Sequence, residues 1–265
     1  MPDTSAPEEW TALLAARNGG VVPPSSLGSL FGPVLAPPTA DDGCRVVGRL
    51  AQTLDGRIAT QGGSSQWIGG REDIIHTHRL RALCDVVVVG AGTVHHDDPR
   101  LTTREVAGPN PVRVILDPGR RLPATHGVFR DGAATTLLIT CSDGPTTHGQ
   151  AEVLRLPHGP DGIDLPSLLR ALAGRGLRRI FVEGGGRTVS TFLAAGLLDR
   201  LHLTVAPVIL GSGIPAFSLP QAARIADGLR VRWTVWPLGQ DILCDVALDR
   251  AKPEICMASE RKTPA

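Results

Sequence analysis

The 265-residue chain has no surplus of either charge: 27 Lys and Arg against 26 Asp and Glu leave a net +1. A broad nucleic-acid or membrane surface needs a clear basic excess, so neither is expected as a partner. No aliphatic run approaches the roughly 20 residues a membrane helix needs. No CxxC pair occurs either: Cys44, Cys84, Cys141, Cys244 and Cys256 are scattered and odd in number. That usage points to free thiols in a reducing, cytoplasmic setting. The N-terminal MPDTSAPEEW is acidic and has no apolar core, so no secretory leader is expected. Also missing are the G-x-S-x-G elbow of serine hydrolases and the H-x-E…P-C-x-x-C pattern of zinc deaminases.

What is present is the composition of a soluble globular protein, 42% hydrophobic and 20% charged. Residues 1–44 read as an arm. Ser5-Ala6-Pro7-Glu8 has capping-box spacing and starts a short helix over 8–17, with Trp10, Leu13 and Leu14 as its apolar stripe. The prolines and glycines of VVPPSSLGSLFGPVLAPPTADDG exclude a long helix and suggest a linker. From Arg45 to 252 the pattern is alternating α/β, and 253–265 reads as a polar tail. Strands are expected at 45–52, 85–90, 112–117, 135–140, 178–184 and 200–207, with helices near 71–83, 165–175 and 187–196. Aliphatic strands such as DVVVVG suit a parallel sheet covered on both faces, and 231–249 reads as an antiparallel hairpin at its end.

Two strand–glycine–helix junctions carry the chemistry: Gly184-Gly185-Gly186 after IFVE, and Gly90-Ala91-Gly92-Thr93 after VVVV. Without Cβ atoms such turns admit a ligand to the backbone, and a helix start favours an anion. Together they could hold the two halves of a dinucleotide, although neither fits the Rossmann fingerprint or a P-loop. Beside the second junction stands the quartet His95-His96-Asp97-Asp98. Four neighbours cannot converge on one ion, so no metal is expected. Asp98 precedes Pro99 and is biased towards extended backbone, so the chain soon leaves the helix as a loop over the sheet edge. Arg81 and Arg104 lie near it as forked donors for a phosphate.

In order along the chain, GRLAQTLDGRIAT, SSQWIGG, HRLRALCDVVVVGAGTV, DDPRLTTR, PVRVILDPGRRLP, IFVEGGGRTVSTFLAAGLLD and VAPVILGSG resemble one family. It is the RibD-type pyrimidine reductase of riboflavin biosynthesis. The resemblance implies a dihydrofolate-reductase-like three-layer α/β/α fold, with a mixed, mostly parallel sheet and a C-terminal antiparallel hairpin. It also implies NADPH as cofactor, a ribosylaminopyrimidine 5′-phosphate as substrate, and a homodimer. Carried over by residue, the cofactor would meet Ala51, Trp67, Thr93, Asp97, Pro118, Gly185, Gly186, Arg187 and Thr188. The substrate would meet Ser65, Arg81, Leu101, Arg104 and Glu183. Asp97 and Glu183 are the acidic candidates for catalysis, read first as positioning or electrostatic groups. The family's usual lysine and serine appear as Arg49 and Thr53, and the arm stands where bifunctional members carry a deaminase, so a stand-alone reductase is expected. Reduction of a pterin, folate-like or secondary-metabolite substrate stays open at this point. So does a non-catalytic nucleotide-binding protein.

Overall fold

The computed structural model describes residues 6–250; Ser5 of the expected capping box and the 253–265 tail with Cys256 lie outside the described residues. The chain opens with α1 (Ala6–Arg17) and α2 (Ser26–Leu35), followed by β1 (Arg45–Thr53), β2 (Arg57–Thr60) and α3 (Arg71–Leu83). Next come β3 (Val86–Gly90), α4 (Ala91–Asp97), β4 (Val112–Leu116), β5 (Thr136–Thr140), β6 (Thr147–His148) and β7 (Ala151–Arg155). A two-residue ribbon, β8 (His158–Gly159) and β9 (Gly162–Ile163), leads into α5 (Leu165–Gly174). The remainder is β10 (Arg179–Glu183), α6 (Gly186–Ala194), β11 (Arg200–Ala206), β12 (Gly213–Pro215), β13 (Arg232–Leu238) and β14 (Asp241–Ala247).

Ten strands form one sheet in the order β13-β14-β11-β1-β10-β3-β4-β5-β7-β6. From β11 to β7 every neighbouring pair is parallel. The β13–β14 hairpin continues the sheet antiparallel beyond β11, as the sequence led one to expect. Alternation explains the layers. Val86 and Val88 pack with Leu168 of α5 and Phe192 of α6, whereas Val87 and Val89 pack with Phe31 of α2 and Leu80 of α3. A strand apolar on both faces thus holds helices on both faces. Helix α5 shows the rule locally: Asp164 caps it by accepting from Ser167 N at 2.8 Å, and Leu165, Leu168, Leu169 and Leu172 are its buried stripe.

Two local readings change. The proline-rich stretch read as a linker contains α2, whose Ser25 side chain accepts from Gly28 N at 3.1 Å to start the helix. Pro33 falls in its last turn, and Phe31 and Val34 are fully buried against the sheet, so tertiary packing outweighs local propensity there. The chain after Thr93 also stays helical to Asp97, and His95 and His96 therefore lie on α4 and not on a loop. Asp98 ends that helix in the left-handed region at φ 38, a conformation Asp tolerates better than most residues.

Candidate active site

Because β10 and β3 are neighbours, their glycine junctions lie side by side at the carboxyl edge of the sheet. They touch. A Cβ on Gly90 would sit 2.7 Å from Thr188 Oγ1, and one on Gly185, which has φ 68, would sit 3.0 Å from Thr93 Oγ1. Each turn therefore needs its glycine to admit the other turn's threonine. Gly92 differs: it is exposed and nothing lies within 4 Å of its Cβ position. The start of α6 lines this cleft, Pro118 follows β4 one strand further on, and Ala51 stands on β1 across β10. Gly185, Gly186, Thr188, Thr93, Pro118 and Ala51 thus share one sheet edge.

The second half of the site hangs from α3. Arg81, 7% exposed, donates Nε–H to Glu183 Oε2 at 2.7 Å and a second N–H to Oε1, while Nη1 donates to Thr102 O at 2.9 Å. Burial alone would raise the Glu183 carboxyl, but Arg81 outweighs it and holds the group below the usual carboxylate range. Glu183 is thereby kept ionised, and the Arg81 fork is occupied by it. Of the two arginines offered for a phosphate, only Arg104 is exposed, with Nη1 resting on Thr102 Oγ1 at 2.8 Å.

The loop between α4 and Arg104 is fastened almost residue by residue. Asp98 Oδ1 accepts from Gly127 N at 2.8 Å, and buried Arg113 donates to Arg100 O at 3.3 Å. Leu101 is buried with φ 54, Thr103 N donates to Asn110 Oδ1 at 2.8 Å, and Arg104 N donates to His78 Nδ1 at 2.9 Å. A positive φ at a leucine is uncommon and persists only where the surroundings over-determine it, as these tethers do.

Other expected residues are less buried than this packed centre. Asp97, Arg187 and Trp67 are exposed, Trp67 by 73%, and Ser65 is half-buried in the segment between β2 and α3. Asp97 makes no side-chain hydrogen bond among the described residues, whereas its neighbour Asp98 ties down the loop. The rings of His95 and His96 meet edge to face at 5.1 Å.

Sequence reasoning missed a second polar layer beneath the cleft. Asp73 on α3 pairs with Arg49 and accepts from Thr204 Oγ1 at 2.7 Å. His76 Nε2 lies 3.0 Å from His202 Nδ1, and His202 Nε2 is 3.2 Å from Asp245 Oδ1. His76 and His78 leave α3 on different faces, one towards the sheet and one towards the loop. Their two-residue spacing on a helix is the signal in the sequence that they face different ways. Asp55 also escaped notice: it accepts from Thr53 Oγ1, Leu210 N and Gly211 N, and these bonds bring its carboxyl down to about 2.

An open, mostly parallel sheet with two abutting glycine junctions at its carboxyl edge defines an α/β protein of the kind whose ligands meet the ends of the strands. The chain belongs to the family described as the RibD C-terminal domain, which residues 45–242 match. Over 211 residues it is 38% identical to 2,5-diamino-6-ribosylamino-4(3H)-pyrimidinone 5′-phosphate reductase of Methanothermobacter thermautotrophicus, covering 76% of this chain and 96% of that one. It is 38% identical over 201 residues to riboflavin biosynthesis protein RibD of Aquifex aeolicus, covering 74% and 55%. The solved deaminase/5-amino-6-(5-phosphoribosylamino)uracil reductase of Thermotoga maritima matches with TM-score 0.68 and 30% identity, covering 78% and 57%. The chain therefore spans nearly all of the archaeal reductase and little more than half of the two longer proteins.

Proposed function

We propose that this chain is an NADPH-dependent reductase that converts the ribosyl group of a 5-amino-6-(5-phosphoribosylamino)uracil-like substrate to ribityl, for riboflavin biosynthesis. The observation that carries the reading is the abutment of two glycine junctions beside a tethered, exposed Arg104. The residues fit the cofactor: Gly92 is exposed with open space where its side chain would be, and α6 begins at that edge with no side-chain cap on its first amides. When bound, a reduced nicotinamide supplies hydride to the imine carbon of the ring-opened ribosylamine, and the imine nitrogen takes up a proton.

This chain's own residues would then bind, orient and exclude water. Thr93, Thr188 and Gly185–Arg187 would hold the cofactor, with Ala51, Trp67, Asp97 and Pro118 around it. Arg104 would meet the substrate phosphate, with Ser65 and Leu101 as further substrate contacts. Glu183, kept ionised by Arg81, suits electrostatic positioning better than proton donation, because its conjugate acid is disfavoured. Water then becomes the proton source for the amine.

The test is an NADPH assay with the deaminated ribosylaminopyrimidine 5′-phosphate and, separately, dihydrofolate. Turnover of the first and not the second is expected; turnover of dihydrofolate alone would transfer the site to folate-like chemistry.

The proposal includes a homodimer joined through the outer hairpin. Edge strand β13 exposes Trp233 by 62% and Val235 by 53%, and Ile242 on β14 is exposed by 49%. An apolar sheet edge of this kind is a template for pairing. A cytoplasmic location is supported by the free thiols of Cys44, Cys84, Cys141 and Cys244. Among the described residues no helix is long and apolar enough to cross a membrane.

A further inference from the structure

We propose that His78 is a positioning residue for recognition of the substrate's phosphate: from the buried side of α3, its Nδ1 fixes the backbone of Arg104 and so sets where that guanidinium stands. The inference rests on the reading of Arg104 as the phosphate's partner.

His78 is 3% exposed, and its Nδ1 accepts Arg104 N–H at 2.9 Å, with Glu105 N–H further off at 3.5 Å. One helical turn along, Arg81 donates to Thr102 O at 2.9 Å. Helix α3 thus grips the loop twice, once as acceptor and once as donor, on either side of Thr103. The Arg104 side chain then folds back, placing Nη1 2.8 Å from Thr102 Oγ1 and 3.2 Å from Thr102 O. With its backbone N and one end of its fork both fixed, Nε and Nη2 make no hydrogen bond among the described residues, and the residue is exposed. A forked pair of free donors on a pre-ordered arginine is what an oxyanion needs, and pre-ordering lowers the entropy lost on binding.

The tautomer follows. An Nδ1 that accepts puts the ring proton on Nε2. Burial, then Arg81 and Arg104, push the imidazole down to about 4, so the acceptor survives at neutral pH. A protonated ring would set a donor against Arg104 N–H and add a third positive charge to the group.

Three variants test this. His78→Leu removes the acceptor, His78→Asn keeps an oxygen at the position of Nδ1, and His78→Gln places its oxygen one methylene too far out. His78→Leu is expected to raise KM for the ribosylaminopyrimidine 5′-phosphate about tenfold or more, with kcat and NADPH affinity little changed. His78→Asn should recover most of that loss. With the same substrate lacking its phosphate, His78→Leu and the unaltered protein should be alike. If His78→Leu does not fold, His78→Gln takes its place with the same expectation. A loss equal for both substrates, or one confined to kcat and NADPH binding, would reduce His78 to a packing residue. Arg104→Ala is measured alongside. If it leaves KM for the phosphorylated substrate unchanged, the reading of Arg104 fails. If it raises KM while His78→Leu does not, the positioning role alone fails.

Discussion

Thr188 closes on Gly90: the threonine hydroxyl lies 2.7 Å from where any β-carbon at residue 90 would be. Two turns separated by nearly a hundred residues are thereby locked into one surface. Gly90→Ala must push Thr188 aside, and overpacking of this kind costs about 1–3 kcal/mol. NADPH affinity is expected to fall about tenfold, read by fluorescence titration, with thermal stability reduced. Gly92→Ala separates protein from ligand, since nothing in the chain meets its Cβ. It should leave stability intact and still weaken NADPH; equal binding by Gly92→Ala would show that the cofactor lies elsewhere.

Glu183→Gln leaves Arg81 buried without its counter-charge. Removing one member of a buried pair costs about 3–5 kcal/mol, whereas replacing both by apolar side chains costs less. Urea unfolding should show the single variant less stable than Arg81→Met/Glu183→Leu, although the double variant should be inactive. The reverse order of stabilities would mean that the pair is not closed in solution.

Acid should destabilise the protein before its carboxylates titrate. Burial, with His202 and nearby cations adding to it, holds His76 well below the ordinary imidazole value, and His78 lies near 4. The unfolded chain protonates both near about pH 6.5, so between there and about pH 4 it binds more protons than the native state. Stability is therefore full above that range and declines as pH falls through it, by up to about 1.4 kcal/mol per pH unit for each histidine. Urea midpoints should be level above about pH 7 and drop below about 6.5, less steeply in His78→Asn. A midpoint that rose on acidification would contradict both assignments.

Trp233→Asp with Val235→Lys should convert a dimer to a monomer in sedimentation without changing the far-UV spectrum, because both residues are exposed. Unchanged sedimentation as a dimer would move the interface away from β13.

How much of this was legible in the sequence divides by distance along the chain. Helix α3 could be read to the residue, and the Val86–Val89 strand announced a sheet covered on both faces. Local grammar also marked both glycine turns. It failed where packing overrules it: Pro33 hides α2, whose start is fixed by Ser25 and whose existence depends on Phe31 finding the sheet. The Arg81–Glu183 pair joins residues 102 apart, and no periodicity reports it. Nor could a sequence tell that one of two nearby arginines would be sealed by a carboxylate and the other left free. The quartet illustrates both sides: Pro99 shows that the helix cannot run far, but Asp98 is left-handed where extended backbone is expected, and its hold on Gly127 appears only in the fold.

The family match begins at Arg45, yet the hydrophobic interior does not. Trp10, Leu13, Phe31 and Val34 belong to the same cluster as Val87, Val89 and Phe181, and Phe31 stacks on His76 at 5.2 Å. A chain started at Arg45 would therefore lose one wall of its interior, wet the His76–His202 contact, and slacken the very helix that grips the Arg104 loop. Such a fragment should bind the fluorescent dye ANS and turn over poorly even though every residue assigned to the cleft is present. The leading helices lie outside the span that defines the family, yet in folding terms they are part of its foundation.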